Sequence, residues 1–134
     1  MATIETKYLG ELRTEAKHVS SENKVITDAP IDNQGKGEAF SPSDLLTTSL
    51  GSCMLTIMGI VAREQQINID GATCSMTKIM ASEPRQVSEI QLVFHMPTND
   101  FSEKQRIILE RAAHTCPVAK SLHPDLIQNV LFNW

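Results

Sequence analysis

Aromatic rings are scarce in this chain: four Phe, one Tyr and one Trp among 134 residues. So few rings leave little from which to build a base-stacking platform. The formal charge of −4 argues equally against broad electrostatic capture of nucleic acid or of an anionic membrane. Glycine and proline number six each, far too few for a collagen-like or low-complexity chain. Cysteine occurs three times, an odd count that excludes a fully paired disulfide framework. Long apolar runs are missing too, and the longest, Met54–Ala62, is about half of what a bilayer requires. The opening residues, MATIETKYLG, show neither the basic start nor the apolar stretch of a leader. The expectation is a cytoplasmic protein with reduced thiols and with no nucleic-acid or membrane partner.

What remains is ordinary globular material, 41% hydrophobic and 21% charged, predicting one domain over 1–134. Residues 1–31 carry three alternating, β-leaning patches, Thr3–Tyr8, Leu12–Val19 and Lys24–Thr27, which predict an antiparallel meander. Asp28–Gly37 has the composition of a loop. Ser41-Pro-Ser-Asp44 then combines a cap, a first-turn proline and a capping-box carboxylate. Leu45, Leu46, Leu50, Met54, Ile57, Met58, Val61 and Ala62 follow at helical spacing, so a helix should run to about Gln66. Further strands are expected at Ile67–Ile69, Ala72–Met80 and Val87–Met96, with a hairpin turn at Ser82–Gln86. A second helix should start at Ser102, whose capping partner is Gln105, and end near Cys116-Pro117. A short helix, Pro117–Leu122, and a strand, Leu126–Trp134, complete the pattern. The fold class is α+β, a mostly antiparallel sheet packed on a long helix. A helix so apolar around its circumference suggests burial inside the protein or between two subunits.

Cys53 falls in the middle of the long helix, on the side shared by Leu46, Ser49, Leu50 and Ile57. Gly51, two residues before it, costs a helix about 1 kcal/mol relative to alanine and so marks close packing or access. Cys116 precedes Pro117 at the start of a short helix, where free N–H groups would favour thiolate. These two thiols fit a peroxide-reducing pair, one attacking and one resolving. Inert core filling is the commoner fate of such cysteines, and no CxxC links them. Cys74 reads as core. His114 and Lys120 lie near Cys116, but the four histidines show no zinc-ligand spacing, so no metal is expected.

Phe40-Ser-Pro-Ser-Asp-Leu-Leu-Thr-Thr-Ser-Leu-Gly-Ser-Cys-Met54 resembles the first-cysteine helix of the OsmC/Ohr superfamily, the osmotically inducible and organic hydroperoxide resistance proteins. Ala113-His-Thr-Cys-Pro-Val-Ala-Lys120 is similar to the second-cysteine motif of that superfamily, and the order of elements fits along the whole chain. The resemblance implies an intertwined homodimer and a thiol-dependent peroxidase for organic hydroperoxides, with Cys53 attacking and Cys116 resolving through a Cys53–Cys116 disulfide. It implies a dithiol reductant such as a dihydrolipoyl group, and no metal, flavin or haem cofactor. Arg13 matches the family's arginine, which favours thiolate and stabilises the departing alkoxide. Leu46, Leu50 and Ile57 would shape the substrate pocket. Hydroperoxide-resistance members carry glutamate directly after the proline of the first motif, whereas this chain has Ser43. Asp44 and Glu38 are the candidate replacements, and the departure points to an OsmC-like branch. A non-catalytic binder of an apolar metabolite and a redox sensor are the competing readings.

Overall fold

The computed structural model describes residues 1–98 and 100–134. The chain forms two compact units, Met1–Leu46 and Thr47–Trp134.

In the first unit, β1 (Ile4–Gly10), β2 (Arg13–His18) and β3 (Lys24–Asp28) make the expected antiparallel meander in the order β1-β2-β3. The β1–β2 turn places Glu11 and Leu12 at φ 52° and 64°, left-handed conformations that side chains other than glycine rarely adopt. The β2–β3 hairpin sets Arg13 opposite Asp28 and Thr14 opposite Thr27. Asp28 thus ends a strand instead of opening a loop. The segment that follows contains one 3₁₀ turn, Ile31–Asn33, and returns to make a parallel bridge between Thr27 and Phe40. Gly35 is required in it, because a β-carbon there would overlap the Ala29 carbonyl.

Helix α1, Pro42–Glu64, is capped as the sequence predicts: Asp44 N–H donates to Ser41 Oγ at 3.0 Å and Ser41 N–H to the Asp44 carboxylate at 2.9 Å. By length and composition α1 also suffices to cross a bilayer, which the short run Met54–Ala62 does not suggest. Its buried residues, among them Leu50, Met54, Met58 and Ala62, instead join a protein core.

That core fills the second unit. Strands β4 (Thr73–Ser82) and β5 (Arg85–His95) form an antiparallel hairpin, and β6 (Ile127–Asn133) joins the other edge of β5 in parallel, Glu89 opposite Ile127. This sheet is therefore mixed. The reason is the crossover made by α2 (Glu103–Ala113) and α3 (Pro117–Ser121), which carries the chain back to the starting end of β5. Ile90, Leu92 and Phe94 alternate onto the inner face of β5 and meet the buried stripe of α1, with Leu109 and Ala113 of α2 in the same cluster. Phe94 stacks on Phe132 at 5.0 Å, and Phe101 meets Trp134 edge-on at 5.0 Å, so four of the six rings serve this core. The Ser102–Gln105 capping box at the start of α2 is present. Ile67–Ile69 is no strand. Asn68 accepts a hydrogen bond from Asp70 N–H at 2.7 Å, an Asx turn that curls the backbone, while both isoleucines still pack on the core.

Candidate active site

Two clusters of chemically capable side chains stand out, one in each unit. In the second, α1 presents the half-buried Cys53 and the α2–α3 junction presents Cys116. The Cys53 sulfur lies close enough to act on the Cys116 thiol, although 116 − 53 = 63 positions separate them in sequence. Cys116 is the N-cap of α3, its backbone extended at φ −64° and ψ 141°, with Pro117 in the first turn. Ala119 N–H donates to Cys116 Sγ at 3.2 Å. A helix start was expected to make this thiol acidic. Burial overrides it: Cys116 is 0% exposed, and desolvation raises its pKa against the Ala119 N–H, with the Cys53 sulfur raising it further. Cys116 therefore holds its proton more tightly than an ordinary thiol.

The other expected residues are placed as follows. Leu50 is fully buried in the core, Ile57 is half-buried against it, and Leu46 is 38% exposed. Gly51 makes the close packing its position predicts, since a β-carbon there would collide with the Met76 sulfur of β4. Cys74, half-buried on β4, has its thiol pushed up to about 11 by burial, which suits a core residue. His114 faces the edge of the Phe132 ring. Among the described residues no three His, Cys, Asp or Glu side chains gather as a metal site.

In the first unit Arg13 grips Asp28 with two parallel hydrogen bonds, Nε to Oδ1 at 2.7 Å and Nη2 to Oδ2 at 2.8 Å. Nη2 also reaches Glu38 Oε1 at 3.3 Å. Glu38 N–H donates to Asp28 Oδ2 at 3.0 Å, so the carboxylate is held from two sides. Asp28 is 1% exposed, Arg13 34% and Glu38 64%. Asp44, the other candidate carboxylate, is engaged in the α1 cap. Asp28 was missed because Asp-Ala-Pro reads as turn composition. The usable signal was the hairpin: pairing His18 with Asn23 across the β2–β3 turn carries the register back to 13 opposite 28.

The Asp28 carboxyl is held below the usual aspartate range, chiefly by the Arg13 hydrogen bond and further by the Glu38 N–H, with burial opposing both. A depressed folded pKa contributes stability that is complete above the ordinary value of about 3.9 and lost as pH falls through the folded value. Urea midpoints measured from about pH 5 down to about pH 2 should therefore fall less steeply in Asp28→Asn than in the parent. Equal slopes would show that the ion pair contributes nothing to acid stability.

Sheet, long helix and thiol pair together define an α+β protein with a two-cysteine centre. The chain belongs to the OsmC-like protein family, whose model matches residues 35–128. It is 53% identical to a protein of Psychrobacter arcticus 273-4 described as an osmotic stress induced and detoxification response protein, with TM-score 0.95 over 99% of this chain and 96% of that one. Two more distant structures share the fold. One is the organic hydroperoxide resistance protein OsmC of Legionella pneumophila, 18% identical with TM-score 0.77 over 100% of this chain and 98% of that one. The other is the organic hydroperoxide resistance protein OhrB of Bacillus subtilis, 17% identical with TM-score 0.68 over 99% and 98%. No curated protein matches the sequence.

Proposed function

We propose that this chain is a thiol-dependent peroxidase that reduces organic hydroperoxides to alcohols. The approach of Cys53 to Cys116 is the observation that carries the reading, because it brings a half-buried thiol next to a second, buried one. In the first step the Cys53 thiolate attacks the terminal peroxide oxygen. The O–O bond breaks, sulfur gains the oxygen as sulfenic acid, and the alkoxide leaves and takes up a proton as alcohol. In the second, the Cys116 sulfur attacks the sulfenic sulfur, a disulfide forms and water leaves. A dithiol, of lipoyl type or similar, then reduces the disulfide by exchange and is itself oxidised. Arg13 is the electrostatic partner that stabilises the developing alkoxide. The family of the chain and the names of its structural relatives support this chemistry.

The proposal includes a homodimer and a cytoplasmic setting. Exposed Leu46 and Ile60 on α1 support the dimer, because single-chain packing leaves them in water. One sample tests both assembly and chemistry. Native mass spectrometry should give twice the 14.8-kDa chain. After one equivalent of cumene hydroperoxide, peptide mapping should find two hydrogens lost and Cys53 linked to Cys116. Three unchanged thiols would end the peroxidase reading.

A further inference from the structure

We propose that Gln128 of β6 is a positioning residue for the resolving step: through Ala119 it holds the Cys116 sulfur in place for its attack on the oxidised Cys53. The inference rests on the peroxidase reading above and deepens it at its second step.

Strand β6 alternates, with Ile127, Asn129, Leu131 and Asn133 exposed and Gln128, Val130 and Phe132 half-buried. Val130 and Phe132 pack on the core, so Gln128 is the polar member of an otherwise apolar face. A side chain so placed is costly unless its hydrogen bonds are met. Gln128 Nε2 donates to the Ala119 carbonyl at 3.0 Å, from the sheet across to α3. The N–H of the same alanine donates to Cys116 Sγ at 3.2 Å. Ala119 is thus tied to β6 through its carbonyl and to the thiol through its amide.

Helix α3 needs such a tie. Its five residues are far fewer than the roughly 12–15 at which a helix begins to hold itself together in water. Lys120 N–H donates to the Cys116 carbonyl at 3.2 Å and Ser121 Oγ to the Pro117 carbonyl at 2.8 Å, bonds that shape the turn without fixing it to the sheet. Val118, Ala119 and Leu122 add apolar contact with the core, which is non-directional, whereas the Gln128 bond has a direction. Gln128 is anchored in turn by its register opposite Ile90, a fully buried residue of the middle strand. Cys116 is itself 0% exposed, so its sulfur relies on donors from the protein. In the resolving step the Cys116 sulfur bonds to the sulfenic sulfur of Cys53, the S–O bond breaks, and the Cys116 proton leaves with the hydroxyl as water. Negative charge gathers on Cys116 as its proton departs, and the Ala119 N–H is in place to meet it. A turn of α3 away from Gln128 would displace the attacking sulfur and its donor together.

The test adds one equivalent of cumene hydroperoxide and follows two steps by quenched mass spectrometry, oxidation of Cys53 to sulfenic acid and closure of the Cys53–Cys116 disulfide. Melting temperature is recorded for every variant. Gln128→Met keeps the length of the side chain and removes the donor. Gln128→Asn keeps a donor that falls one methylene short, and it is the milder change where Gln128→Met folds poorly. Each should slow disulfide closure about 10-fold or more, the scale of a misplaced reacting group, and leave Cys53 oxidation within about twofold of the parent. Val130→Ala, on the same face of β6, should lower the melting temperature while both steps stay within about twofold of the parent. A purely structural Gln128 would behave as Val130 does. Closure at the parental rate in a folded Gln128 variant overturns the proposal alone. So does equal slowing of the two steps, or closure slowed as much by Val130→Ala as by the Gln128 changes. A parent protein that closes no Cys53–Cys116 disulfide overturns the reading beneath the proposal as well.

Discussion

Cys53→Ser should lower cumene hydroperoxide reduction by at least about 10³-fold, the scale on which enzymes lose activity when their nucleophile is removed. A serine hydroxyl at this position is neither ionised at neutral pH nor able to become a sulfenic acid, so no other group inherits the step. Cys116→Ser should behave differently. Its Cys53 remains free to consume one equivalent of peroxide, but without a partner sulfur the sulfenic acid persists and dithiol turnover fails. That separation follows from burial, which keeps Cys116 protonated beside Cys53. Cys74→Ser, at a thiol raised to about 11 in the core of β4, should leave the rate within about twofold, since a thiol so raised holds almost no thiolate at neutral pH. Peroxide consumption assays on the three variants decide the matter. Parental activity in Cys53→Ser would sink the assignment outright.

Phe94→Ala should produce the largest loss of stability, about 3–5 kcal/mol, or on the order of 10–20 °C in melting temperature. Phe94 is fully buried near the end of β5, the middle strand of its sheet, stacked on Phe132 at 5.0 Å and in one apolar cluster with the buried stripe of α1. Truncation forfeits both the burial of the ring and the contacts of its neighbours, and a core packed by α1 and α2 on one face of the sheet has little freedom to collapse into the gap. Leu131→Ala supplies the contrast, because its side chain is 56% exposed on the opposite face of the same sheet. That change should remain within about 0.5 kcal/mol. Urea denaturation of both variants would expose an error if the two shifts proved alike.

Much of this architecture is readable without coordinates where the signal is local. The Ser41–Asp44 cap and the apolar spacing after it locate α1 to within two residues, since a helix is specified by neighbours three and four positions apart. The Ser102–Gln105 cap likewise fixes the start of α2, whose end at Ala113 falls short of the Cys116-Pro117 boundary expected. Information fails where the deciding partner is remote. The parallel direction of β6 depends on β5, and the residues themselves carry no mark of it. Ile67–Ile69 shows strand composition but is bent by an Asx turn. The thiol pair divides in the same way. Cys53 and Cys116 were legible through the two motifs that flank them, yet the acidity inferred for Cys116 from its helix start was reversed by desolvation, a property of the packed core. Asp28 was hidden by turn-like neighbours, although the hairpin register that reveals it spans only fifteen positions.

The parallel pairing of β5 with β6 bears on how the thiol centre comes into being. Its ladder joins Glu89 to Ile127, 127 − 89 = 38 positions apart, with Cys116 carried in the intervening crossover. Such distant pairings close more slowly than hairpins because chain entropy must be lost before any contact compensates it. A nascent chain therefore has Cys53 in hand before Cys116 has been made and only later brings the two together. Until that crossover folds back, Cys53 and Cys116 remain separate thiols, and their meeting is a product of maturation.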